Sequence, residues 1–163
     1  MSPRSLGAFF LDVVREAGQV SLHLFKIMIP LLIGVKILQE AGLIAYLAVP
    51  LEPMMRIVGL PGETGLVWAT AMVNNIYSGI IVFLSLSDSL QLSVAQVTVL
   101  STMMLVAHAL PVEVKIVQSA GTRFLFQLLF RVGGAFVLGW GLHAAYSASG
   151  ALQQANRVFW QGE

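Results

Sequence analysis

Cysteine is absent from this chain of 163 residues, which removes disulfides, thiolate metal ligands and cysteine nucleophiles together. A cysteine-free chain suits the bacterial cytoplasmic (inner) membrane. Charge is nearly as scarce: Asp, Glu, Lys and Arg make up 10% of the residues, where soluble domains carry about 25%. The nine Lys and Arg are scattered and the formal net charge is +1, so no basic patch exists to hold a nucleic acid. Also missing are a Walker loop, an HExxH or GxSxG motif, any metal-ligand spacing, and a Ser grouped with a His and a carboxylate. Without them no catalysis, metal or cofactor is expected. The N-terminus, "MSPRSLGAFFLDVVREAG", holds acidic residues and no long apolar core, so a cleaved signal peptide is not expected either.

What fills the chain instead is apolar. Hydrophobic residues make up 57% of it and the mean hydropathy is +0.83, which predicts an all-α integral membrane protein crossing the lipid bilayer several times. Four spans of about 20 residues would consume half the length and leave room for one domain only. Three regions are expected: an amphipathic interfacial helix over residues 1–18, a transmembrane domain over 19–146 with four to five transmembrane or re-entrant helical elements, and a polar C-terminal tail over 147–163. In the first, Leu6, Phe9, Phe10, Val13, Val14 and Ala17 recur at i, i+3, i+4 and i+7, the pattern of a helix lying in the membrane interface.

The transmembrane domain opens with a span that carries His23, Lys26 and Pro30, the proline predicting a kink. Residues 41–58, with Pro50, Glu52, Pro53 and Arg56, read as a short helix, a turn and an interfacial segment. "GLPGETG" then introduces an apolar run over 64–86, either a single span or a re-entrant hairpin with its tip near "NNIYSG". Ser93 and Gln96 form a capping box, and Leu92 and Val97 a hydrophobic staple, so a helix starts close to Val94. It runs to Pro111, which strands the Ala107 carbonyl, and "PVEVKIVQSA" resumes as a second half-helix that Gly121 ends. In the last apolar run, which reaches Tyr146, Ala135 and Gly139 permit close packing, and Arg131 reads as a side chain reaching for the membrane surface. Phe159 and Trp160 are candidate interface anchors.

Interrupted helices inside a bilayer are tolerated only where the freed backbone groups face protein or a wet cavity, and transporters place solute sites at such breaks. Two constellations sit at breaks here. Asn74 and Asn75 bring about eight hydrogen-bonding valences into an apolar run. With Tyr77 and Ser78 they offer uncharged groups suited to a polar neutral or zwitterionic solute, and they could equally bond a neighbouring helix. His108 and Glu113 flank Pro111, and both can change protonation in buried surroundings, so they are candidates for coupling or gating by H+ or Na+. An unbroken helix would hold them about 140° apart. The alternative is that Glu113 pairs with Lys115 or Arg123 while His108 caps the broken turn. Lys26 is a further gating candidate, with snorkelling as the alternative.

"GLPGETGLVWATAMVNNIYSGI" followed by "LVAHALPVEVKIVQSAG" resembles the nucleoside-recognition, or Gate, family of membrane proteins, over about residues 20–146. Relatives include spore maturation proteins A and B, and Gate segments occur in concentrative nucleoside transporters and in the membrane part of ferrous iron transporter B. The resemblance implies a transporter-type fold with a re-entrant hairpin and a discontinuous helix at the solute site. By position it puts Glu63, Thr64, Asn74, Asn75, Tyr77 and Ser78 on the hairpin, as substrate-binding residues, and His108, Pro111 and Glu113 on the discontinuous helix.

The chain resembles one repeat of a nucleoside transporter rather than two inverted repeats. Arg4, Arg15, Arg56, Lys115, Arg123 and Arg157 spread over both ends of the elements, so the positive-inside bias is weak. Two copies could therefore supply the two repeats as an antiparallel homodimer, or a second Gate protein could complete a heterodimer. The expected function is a transporter, or transporter half, for a small polar solute, with nucleosides as one candidate class. The competing class is a non-transporting membrane scaffold subunit whose polar groups satisfy one another across helices.

Overall fold

The computed structural model describes residues 6–43, 46, 49–86 and 90–155, and every regular element among them is helical. Helix α1 (Leu6–Glu40) is followed by a 3-10 turn (Val49–Leu51), α2 (Glu52–Ile57), α3 (Thr64–Val73), α4 (Ile76–Leu86), α5 (Val94–Val106), α6 (Leu110–Ser119) and α7 (Phe124–Ser149). Two stretches, Val94–Ser119 and Phe124–Ser149, are 26 residues each and apolar enough to cross a membrane. As helix, 26 residues extend about 39 Å, enough for a hydrocarbon core of about 30 Å. The anchors Phe159 and Trp160 lie outside the described residues.

The two elements expected on either side of residue 18 form one helix. Nothing between them stops it: Gly18 alone costs roughly 1 kcal/mol relative to Ala, and no proline or cap intervenes. Pro30 removes one backbone donor but sits inside α1 without ending it. This helix packs against α6 and leaves Phe10, Val14, Leu22, Phe25, Ile29 and Ile33 exposed. In the same way α7 exposes Leu125, Phe126, Phe130, Val137 and Trp140. In water so much apolar surface would drive association; in a bilayer it is the side that faces lipid or another membrane helix.

The core lies between α3, α5 and α7, where Val67, Trp68, Val99 and Met103 are buried with Met55 and Val58. The start of α5 is the one predicted. Ser93 Oγ accepts from the Gln96 N–H at 3.2 Å and Gln96 Oε1 accepts from the Ser93 N–H at 3.0 Å. The two remaining first-turn donors, Val94 and Ala95, reach the carbonyls of Gln154 at 3.0 Å and Leu152 at 2.8 Å. All four donors that a helix start leaves open are thereby satisfied, and the segment after α7 is tied to the start of α5.

Along α5 and α7, which run antiparallel, Gly139 faces Met103, and a Cβ there would lie 2.7 Å from the Met103 Sδ. Helices α3 and α4 form a hairpin held by a second close approach. A Cβ on Gly79 would lie 2.8 Å from the Ala71 Cβ and 3.2 Å from the Val67 carbonyl oxygen. The arms have 10 and 11 residues, about 15–17 Å of helix each, so the hairpin ends part-way along the longer α7. Gly79→Val is expected to overpack this contact and to destabilise the fold by about 1–3 kcal/mol, read by thermal unfolding in detergent. An unchanged melting temperature would contradict the close packing of α3 on α4.

Candidate functional site

The hairpin turn is built by the asparagine pair. The Asn74 N–H closes α3 on the Thr70 carbonyl at 2.9 Å, after which the backbone leaves the helix at φ −102°, ψ −87°. Asn75 then caps α4, its Oδ1 accepting from the Ser78 N–H at 2.9 Å, the geometry that makes Asn a favoured helix start. Its Nδ2 donates to Asn74 Oδ1 at 3.2 Å, and Asn74 Nδ2 donates to Ser78 Oγ at 2.7 Å. Asn74, Asn75 and Ser78 are thus one half-buried network at the tip, while Tyr77 is 74% exposed beside it. Glu63 and Thr64 are not brought to this tip. They stand at the opposite end of α3, about 15 Å of helix away; Thr64 is fully buried with its hydroxyl on the Pro61 carbonyl at 2.6 Å, and Glu63 is exposed.

A second interruption meets the first. Helix α5 ends at Val106, Ala109 adopts a left-handed conformation at φ 44°, and α6 begins with Pro111 in its first turn, where a missing N–H is harmless. The expected stop at Pro111 therefore falls at residues 107–109, because the proline is absorbed into the start of the next helix. A left-handed alanine costs roughly 1–2 kcal/mol. Here it turns the Ala109 N–H onto the Ala71 carbonyl of α3 at 2.9 Å, one of the acceptors that a helix end leaves open. Trp68 reinforces the junction by donating Nε1–H to the Met103 carbonyl at 3.3 Å.

The open carbonyls at the end of α5 are met by polar side chains. His108 Nδ1 lies 3.0 Å from the Leu105 oxygen, and Arg131 Nε donates to the Val106 oxygen at 2.9 Å. Glu113 joins the two: Arg131 Nη1 donates to its Oε2, and His108 Nε2 lies 3.1 Å from its Oε1. The interruption has thus brought His108 and Glu113 together, and His108 also closes the end of α5. Arg131, read from the sequence as reaching for the membrane surface, turns inward from α7. Two acceptors, a stranded carbonyl and a carboxylate, meet it there. Lys115 donates to Gln118 at 3.1 Å instead of pairing with Glu113. Lys26 is exposed on α1, outside this cluster.

A signal for Arg131 was present: a Glu beside a helix break demands a cation, and Arg131 is the one Lys or Arg within the last apolar run. Pro111 separates two apolar clefts beside the cluster. One, of about 590 Å³, runs between Pro30 of α1, Pro111 and Lys115 of α6 and Leu128 of α7; the other, of about 430 Å³, reaches Met72 and Val73 of α3. Arg131→Met leaves Glu113 without its guanidinium partner and is expected to cost about 1–3 kcal/mol, with Glu113→Gln in the same chain restoring part of the loss. Unfolding free energies that add for the two substitutions would contradict a direct pair.

These features define a helical membrane protein in which a short hairpin and an interrupted helix are joined by a backbone hydrogen bond and each carries its own polar group. Its family follows from comparison: the family model described as Gate, nucleoside recognition, matches residues 21–123, and the chain belongs to that family. Both motifs read above fall within the match. The chain is also 30% identical over 128 residues to a Bacillus subtilis (strain 168) protein named uncharacterized membrane protein YvoD. That match takes in 78% of this chain and 40% of the relative, so the chain spans less than half of that protein's length. No solved structure matches the chain.

Proposed function

We propose that this Gate-family protein is a transporter unit for a small polar solute, multi-pass in the bacterial inner membrane and without catalytic activity. The observation that carries this reading is the junction of two interrupted elements, the Ala109 N–H at the helix break bonded to the Ala71 carbonyl in the last turn of α3, with Asn74, Asn75 and Ser78 networked at the hairpin tip and His108, Glu113 and Arg131 at the break. In this reading the hairpin is re-entrant. Arms of about 15–17 Å entering a core of about 30 Å bring the tip close to the bilayer midplane, the depth at which broken helices hold solutes in transporters. Neutral amides at the tip suit an uncharged or zwitterionic solute, and the family's description makes nucleosides the first class to try.

His108 and Glu113 are the coupling groups, for H+ or Na+. The clefts beside Pro111 are open and apolar, so the site needs a covering partner: a second copy, antiparallel, or another Gate protein. Support comes from YvoD, which is about two and a half times as long as the stretch it shares with this chain and has room for a second unit. A scaffold reading has its own support. Asn74, Asn75 and Ser78 bond to one another and to the turn, as polar groups do when their task is assembly.

A thermal-shift screen of the detergent-purified protein against nucleosides, amino acids and small cations separates the two. A solute at 100 times its dissociation constant stabilises the fold by about 2.7 kcal/mol, and the gain is expected to vanish in the Asn74→Ala, Asn75→Ala double variant. No stabilisation by any member of the panel, together with vesicle uptake no faster than in protein-free vesicles, favours the scaffold.

A further inference from the structure

The hydrogen-bond geometry at the helix break fixes how many protons it holds. His108 Nδ1 lies 3.0 Å from the Leu105 carbonyl oxygen, which only accepts, so Nδ1 carries a hydrogen. His108 Nε2 lies 3.1 Å from Glu113 Oε1. A neutral imidazole has a single N–H and has already spent it on Leu105; its Nε2 lone pair would then face the lone pairs of an ionised carboxylate. Arg131, which only donates, cannot relieve that repulsion from the far side of the carboxylate. Flipping the ring would set carbons against both oxygens and lose both bonds. Both contacts are hydrogen bonds at once only with a further proton between Nε2 and Oε1, as an imidazolium beside a carboxylate or a neutral imidazole beside a carboxylic acid, two forms with the same proton count; a neutral imidazole beside a carboxylate keeps one contact and loses the other.

From this geometry we infer that the His108–Glu113 pair is a proton-binding site, loaded in the conformation described, and that Arg131 is its positioning residue. Among the described side chains no other charge lies against the pair. Helices α3 and α5 carry no ionisable side chain, Tyr77 of α4 and Lys26 of α1 are exposed, and Lys115 of α6 is engaged with Gln118. His143, also on α7, is twelve residues beyond Arg131, about 18 Å along the helix. Arg131 aims the carboxylate by holding Oε2 with Nη1 while its Nε is fixed on the Val106 carbonyl.

Loss of the proton to water leaves two acceptors face to face, so His108 must release either Glu113 or the end of α5. The next residue is Ala109, whose N–H holds the break to the hairpin, so unloading loosens the junction. What the proton is coupled to rests on the transporter reading above. The proton site itself does not.

The test is nitrogen NMR of histidine-labelled protein in lipid nanodiscs from about pH 5 to about pH 8, with the His108 signal assigned by its loss in His108→Gln, and the carboxyl stretch of Glu113 followed by infrared. The expected result for the folded protein within this range is either two protonated ring nitrogens on His108 or a protonated Glu113 carboxyl. That signature is insensitive to Na+, is lost in Glu113→Gln, and in Arg131→Gln disappears at a different pH. A neutral His108 beside an ionised Glu113 throughout that range in the folded protein overturns the inference. So does a signal that responds to Na+ and not to pH. Because neither readout requires transport, a loaded pair in a protein that moves no solute would remove the transporter reading and leave the proton site standing.

Discussion

The hydrogen bond from the Ala109 N–H to the Ala71 carbonyl, at 2.9 Å, is the constraint on which the rest of the architecture turns. In an apolar medium a backbone donor or acceptor left alone costs several kcal/mol, and this chain interrupts its helices twice. Bringing the two interruptions together lets one satisfy the other. The left-handed Ala109 is strained, and the strain is offset because the same residue supplies the acceptor at the end of α3 with its partner. Once that bond is made, the last turn of α3 and the helix break are held together in the bundle.

Around that point the chain sorts its few polar groups. Asn75 caps α4 and Asn74 ties the turn to Ser78, so the tip holds its shape without help from water. The break is closed by charge: Arg131 spans from the Val106 carbonyl at the end of α5 to Glu113 in the first turn of α6, and His108 spans from Leu105 to the same carboxylate. A network of this kind is strong when complete and fails sharply when one member is withdrawn. The outward faces of α1 and α7, rich in exposed apolar side chains, leave lipid or a partner helix to complete the packing.

Much of this could be read before the fold was known, where a local rule decides the outcome. The start of α5 follows from Ser93 and Gln96 because a capping box is a contact between residues three apart. Gly139 marked a place of close packing, though not which helix would fill it, and Pro111 marked the neighbourhood of an interruption that falls at residues 107–109. The Asn pair marked the turn of a helix hairpin, although adjacency alone left a single span equally open. Long-range pairing was hidden. Arg131 and Glu113 are eighteen residues apart and on different helices, so apart from Arg131 being the one Lys or Arg of the last apolar run, the spacing does not distinguish a guanidinium that turns inward from one that reaches for the surface. Glu63 and Thr64 were carried onto the hairpin by resemblance, and the structure places them at the start of α3, away from the tip that the Asn pair builds. The helix over Leu6–Glu40 ran through an expected boundary because amphipathic and spanning patterns share the same period.

The central claim is that hairpin tip and helix break enclose a water-accessible polar site at the middle of the membrane. Because the chain has no cysteine, single-cysteine labelling in native membranes tests it without background. Ser78→Cys, at the tip, is compared with Val137→Cys, on the exposed apolar face of α7. The account predicts that a small water-soluble thiol reagent modifies the cysteine at position 78 readily and the one at position 137 hardly at all. Equal, negligible reactivity at both positions in the folded protein would mean a dry junction and contradict it.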